Sequence, residues 1–120
     1  MEGALRLVVV GDHRKFDKLL EPHPDIEITA VLERGSEALR AIDLFRPDAV
    51  LLARPEADRA ATIRKLKEQQ PELLVVAVVG PSHGDEIVRM FAAGADACIA
   101  GSPTPAAFLQ QIWEGRRFFP

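Results

Sequence analysis

The sequence predicts an α/β domain built on a five-stranded parallel sheet, and three features carry that expectation. Five short apolar segments recur along the chain: Leu5 to Val10, Ile26 to Leu32, Ala49 to Ala53, Leu73 to Val79 and Ala97 to Ala100. Stretches of helical length separate them. Parallel neighbours cannot be joined by a tight turn and need a crossover, which a helix supplies, so this alternation implies a parallel sheet.

The first, third and fourth segments are almost continuously apolar, as strands covered on both faces must be. Ile26-Glu27-Ile28-Thr29 alternates instead, the pattern of a half-exposed edge strand. Together they fit the flavodoxin-like strand order 2-1-3-4-5, with helices on both faces. Between the strands, Ala38, Leu39, Ala41, Ile42 and Phe45 share one helical face across Ser36 to Phe45. Ser82 and Asp85 resemble a capping box ahead of the apolar stripe Ile87, Val88 and Phe91. Thr104 before Pro105 starts a helix that continues over Ala106 to Trp113, because Thr accepts from exposed amides and proline at the first helical position sacrifices no hydrogen bond. The segments around Phe16, Leu19 and Leu20, and around Ile63 and Leu66, are read as helices because they must connect strands. Pro24-Asp25, Pro47-Asp48 and Pro71-Glu72 each precede an apolar segment and act as repeated helix stop signals.

With 120 residues, 48% of them apolar, the chain has the balance of one domain spanning 1–120. At this length about two thirds of the unfolded surface can be buried, so the core needs neither a metal nor a disulfide. The single cysteine, Cys98, excludes an intrachain disulfide. A net charge of -3 with interspersed signs argues against a nucleic-acid surface. The longest apolar run, Leu73 to Val79, is too short to cross a membrane. Spanning a bilayer takes about 20 residues of helix. A cytoplasmic location is expected.

In such a sheet, ligands gather beyond the carboxyl ends of the strands. That singles out Gly11-Asp12-His13, Arg54-Pro55-Glu56, Gly80-Pro81-Ser82 and Gly101-Ser102-Pro103. The whole chain resembles a bacterial response-regulator receiver (CheY-like) domain of the NarL/FixJ type. The resemblance rests on Leu7-Val8-Val9-Val10-Gly11-Asp12-His13, Pro24-Asp25-Ile26-Glu27, Arg46-Pro47-Asp48-Ala49-Val50-Leu51-Leu52, Ala93-Gly94-Ala95 and Gly115-Arg116-Arg117-Phe118-Phe119-Pro120, in that order.

The resemblance implies two acidic residues after strand one, a phosphoacceptor Asp ending strand three, Ser or Thr ending strand four, and Lys ending strand five. Those positions fall on Gly11 and Asp12, Ala53, Val79 and Gly101. Ala53 has no nucleophile, so no acyl phosphate forms there. Asp12 alone is a poor magnesium site, and Val79 and Gly101 lack the groups that would contact a phosphoryl oxygen. The expectation is a degenerate receiver, with no cofactor, no metal and no catalytic residue, that works by protein contact independently of phosphorylation.

Several residues keep two readings. Asp12 either caps the first helix or pairs with Arg54, whose guanidinium would then replace the missing metal charge. Asp58 is read as a helix cap and Glu56 as a solvated charge. His13, His23 and His83 lack metal spacing. Cys98 is expected to be a buried, inert thiol. Gly11, Gly80 and Gly101 leave strand ends without side chains. Asp12, Arg54, Ser82 and Ser102 could therefore surround a small molecule or anion, the alternative function. The last helix carries Phe108, Leu109, Ile112 and Trp113, followed by Phe118 and Phe119. Those left uncovered would form an apolar interface for a homodimer or another protein partner. Receivers pair through their fourth and fifth helices and fifth strand, so the resemblance points to the same surface. It further implies a DNA-binding output domain beyond Pro120.

Overall fold

A computed structural model describes residues 4–11, 21–53, 58–79, 84–100 and 104–118, with residues 100 and 113–118 described by backbone alone. Five strands, β1 (Leu5–Val10), β2 (Ile26–Leu32), β3 (Ala49–Leu52), β4 (Leu74–Val79) and β5 (Ala97–Ala100), form one parallel sheet in the order β2-β1-β3-β4-β5. The helices are α1 (Gly35–Phe45), α2 (Arg59–Gln69), α3 (Gly84–Ala93) and α4 (Pro105–Phe118). This is the flavodoxin-like arrangement that the apolar segments predict. The helix expected around Phe16, Leu19 and Leu20 lies outside the described residues.

Alternation along the central strands divides the core into two layers. Val8, Val10, Val50, Leu52, Val75, Ala77 and Val79 face α1, α2 and α3, meeting Ala38, Ile42, Ile63, Leu66, Met90 and Ala93. Leu7, Val9, Ala49, Leu51, Val76 and Ile99 face the other way and meet Phe108 and Ile112 of α4. The edge strand β2 carries an irregularity: its register against β1 slips at Leu7 and Val8 because Thr29 is an extra residue, the mark of a bulge. The Thr29 hydroxyl donates to the Leu7 carbonyl at 3.3 Å across it.

Local signals fix the helix ends. The Arg34 amide donates to the Glu37 carboxylate at 3.0 Å, satisfying a free donor at the start of α1. Arg46 ends that helix in the left-handed conformation, φ 46°, returning its N–H to the Ile42 carbonyl. Thr104 Oγ1 accepts the Ala107 amide at 3.2 Å, so α4 begins as the Thr-Pro pair predicts. Asp58 occupies the position before α2 but its side chain makes no capping bond. Its backbone carbonyl accepts the Thr62 amide instead.

One acidic residue of the stop signals, Asp48, is a fastener as well. Asp48 Oδ2 accepts the Arg6 amide at 2.8 Å while the Asp48 amide donates to the Arg6 carbonyl, locking β3 to β1 at their amino ends. At the same end of the sheet, Asp96 accepts the Val75 amide at 2.8 Å and pairs with Lys67 of α2 at 3.0 Å. Lys67 Nζ also donates to the Leu73 carbonyl at 2.8 Å. Its stem runs past Gly94, whose φ is +116° and where a Cβ would sit 3.2 Å from Lys67 Cγ.

Two expectations about apolar residues are corrected. The stripe Ile87, Val88 and Phe91 does not face inward as a unit: Val88 is 67% and Phe91 44% exposed, and α3 instead buries Met90 and Ala93 with Ile87 partly covered. A helix over an edge of the sheet needs only a narrow apolar seam, here at spacing 87, 90 and 93, and the flanking apolar residues stay outside. Phe108 (0% exposed) and Ile112 belong to the core under the sheet, not to an interface, because they are the residues with which α4 covers its face of the sheet. Phe108→Ala should lower unfolding free energy in urea by about 3–5 kcal/mol, the usual cost of emptying a core aromatic site. Val88→Ala and Phe91→Ala should each stay within about 0.5 kcal/mol. Gly94→Ala should cost about 1–2 kcal/mol in the same measurement, since both its φ and its approach to Lys67 disfavour a Cβ.

Candidate functional site

Parallel pairing aligns the carboxyl ends of the central strands into one crevice. The Ala53 amide donates to the Val10 carbonyl at 2.7 Å, and the next residue on that strand, Gly11, donates its amide to the Leu32 carbonyl at 2.8 Å. Gly11 and Ala53 are thus neighbours at the ends of β1 and β3, with Val79 ending β4 beside them. Gly11 has φ 143°. Side chains strongly disfavour that conformation. Ala53 offers a methyl group and Val79 is a buried part of the core. None of the three supplies a side-chain oxygen. A hard cation such as magnesium therefore finds no ligand on these three side chains.

Among the described residues, the buried charge at this end of the sheet is Arg59, the first residue of α2, which is only 3% exposed. Its Nη1 donates to the Val78 carbonyl at 2.7 Å and to the Leu52 carbonyl at 3.2 Å, joining the ends of β4 and β3. Its Nη2 lies 3.0 Å from Glu86 Oε2 on α3, close enough for charge pairing although not aligned as a hydrogen bond. A buried guanidinium is tolerable only with such compensation, and two carbonyl oxygens plus a carboxylate provide it. Both charges act on the Cys98 thiol of β5. Burial pushes that thiol up from its ordinary pKa, with Arg59 opposing the shift and Glu86 adding to it. Cys98 is only partly buried, short of the fully enclosed thiol expected.

The motif reading looks to Arg54 for a local cation and passes over Arg59. A signal is present: Arg59, Thr62, Ile63 and Leu66 follow the i, i+3, i+4, i+7 spacing of the buried face of α2. An arginine on an apolar stripe is buried and therefore must be paired. Arg54 and Asp12 themselves lie outside the described residues, as do Glu56, Gly80, Ser82, Gly101, Ser102, His13, His83 and Phe119. So do the side chains of Trp113 and Phe118. His23 has a local role, its Nδ1 accepting the Asp25 amide at 3.0 Å in the turn before β2. Among the described residues no group of three or more His, Cys, Asp or Glu is placed to hold a metal, and no helix is long and apolar enough to cross a membrane.

No protein-family model matches the chain. It is 31% identical over 99 residues to the uncharacterized transcriptional regulatory protein YhcZ of Bacillus subtilis (strain 168), covering 78% of this chain and 46% of that protein. The chain spans less than half the length of the curated relatives it matches. In shape it is similar to the signal receiver domain of NarL from Mycobacterium tuberculosis, with a TM-score of 0.80 at 18% identity over 97% of this chain and 98% of that one. It is also similar to an atypical orphan response regulator described with a phosphorylation-independent regulatory mechanism, with a TM-score of 0.73 at 18% identity over 95% and 97% of the two chains. Strand order, two-sided helical cover and these likenesses give the chain the CheY-like fold of response-regulator receiver domains.

Proposed function

We propose that this receiver domain signals through protein contact without accepting a phosphoryl group. The observation that carries the reading is Ala53, which ends β3 in hydrogen bond to β1 at the position where the receiver resemblance implies the phosphoacceptor. Acyl phosphate formation needs a carboxylate oxygen as nucleophile, and a methyl group has none. Gly11 adds support. The first acidic position falls on this residue, whose φ is 143°. Such a backbone leaves little tolerance for the side chain that would help to bind magnesium. Degenerate positions are then Gly11, Ala53, Val79 and Gly101, with Asp12 the surviving carboxylate.

On this reading the domain is not an enzyme. Its output is a contact made by its surface, with a second copy, with an output domain attached beyond Pro120 or with another protein partner. YhcZ is a transcriptional regulatory protein longer than this chain, which supports a DNA-binding output domain as the attached partner. Likeness to the phosphorylation-independent orphan regulator supports a receiver fold working this way.

Incubation with acetyl phosphate and magnesium should leave the intact mass unchanged. A mass increase of one phosphoryl group would overturn the proposal. Ala53→Asp should also gain no stable, magnesium-dependent phosphoryl group, since Gly11, Val79 and Gly101 remain unsuited to it. Light scattering coupled to size exclusion across a concentration series should give the same oligomeric state with and without acetyl phosphate and magnesium. Assembly only in their presence contradicts the reading.

A further inference from the structure

We infer that the Arg59–Glu86 pair is an internal latch that holds the amino-terminal half of α3 against the carboxyl ends of β3 and β4. It thereby fixes how α3 presents Val88 and Phe91, with no added group required. Such a latch sets the position of α3 whether or not the domain accepts a phosphoryl group.

The anchors of α3 are unevenly distributed. Its fully buried residues, Met90 and Ala93, lie in the carboxyl-terminal half, with Ile87 partly covered ahead of them. In the first turn Gly84 and Asp85 are exposed, and a Cβ built at Gly84 would meet nothing within 4 Å. Glu86 is the residue of that turn that reaches inward, to 3.0 Å from Arg59 Nη2. The other end of the pair cannot yield, because Arg59 Nη1 is held by the carbonyls of Leu52 and Val78 in two different strands. One guanidinium therefore joins α2, β3, β4 and α3. With Glu86 released, the Arg59 charge would be left short of its compensating carboxylate in a site nearly closed to water, which drives the pair to stay made. Val88 and Phe91 lie on the outer side of the same helix, so the pair governs the angle at which that apolar surface meets solvent or a partner.

Hydrogen exchange of the full chain tests the latch. In Glu86→Gln, which keeps the side-chain shape and removes the charge, amides of α3 should exchange about tenfold faster or more, while those of α1 keep their native rates. Should Glu86→Gln fail to fold, Glu86→Asp draws the carboxylate back by one methylene and is compared in the same way. A second readout uses Cys98, the single cysteine, which senses both charges. Removing the carboxylate while Arg59 remains should move the pH profile of Cys98 alkylation to lower pH. Unchanged α3 exchange overturns the latch, as does equal acceleration of α1 and α3, which would make the pair a general stabiliser. An unmoved alkylation profile likewise overturns it, by showing that the Glu86 charge is not seated beside Arg59.

Discussion

The constraint on which the rest of this structure depends is the burial of β1, β3 and β4 on both faces. Leu7, Val8, Val9, Val50, Leu51 and Val75 are entirely shielded from water, so the sheet surface offers no place for a polar group. The charged side chains that tie the central strands to their neighbours act at the strand ends. At the amino ends these are Asp48, Lys67 and Asp96, and at the carboxyl ends Arg59 and Glu86. Hydrophobic burial holds the layers together, while these polar fasteners set register and helix position where the apolar surface stops.

The two ends differ in what their fasteners do. At the amino ends a carboxylate meets a backbone amide of the neighbouring strand, as Asp48 does with Arg6 and Asp96 with Val75, and this fixes where a strand begins. At the carboxyl ends a cation meets strand carbonyls, and the group that completes its charge comes from a helix. Carbonyl oxygens at the ends of β3 and β4 attract a positive charge, and Arg59 supplies it from within the chain. In the proposed reading, this resident charge stands in a crevice where Gly11 and Ala53 offer no side-chain oxygen. A fixed intramolecular pair then sets a helix position with no group arriving from outside.

The surface follows from the same economy of burial. Phe108 and Ile112 are consumed in covering the second face of the sheet, whereas α3 sits where a narrow seam suffices and leaves Val88 and Phe91 exposed. Phe108 and Ile112 therefore leave the candidate interface, while Val88 and Phe91 on α3 lie at the surface.

Fold class, strand order and the start of α4 were legible in the sequence because they depend on neighbours a few residues apart. Two-residue and 3.6-residue periods, continuous apolar runs, and the Thr104-Pro105 start each report a local preference that the fold keeps. The composition of the crevice was equally legible, since the absence of a carboxylate at Ala53 requires no coordinates. Three things were decided only by tertiary structure: that Arg59 is buried across the ends of β3 and β4, that Glu86 completes its charge, and that Val88 and Phe91 face outward. Arg59 and Glu86 are far apart in sequence and meet only because two crossovers bring α2 and α3 side by side on one face of the sheet. Helical period locates an apolar stripe, but how wide a stripe is covered depends on what lies beneath the helix, and that is a property of the assembled sheet.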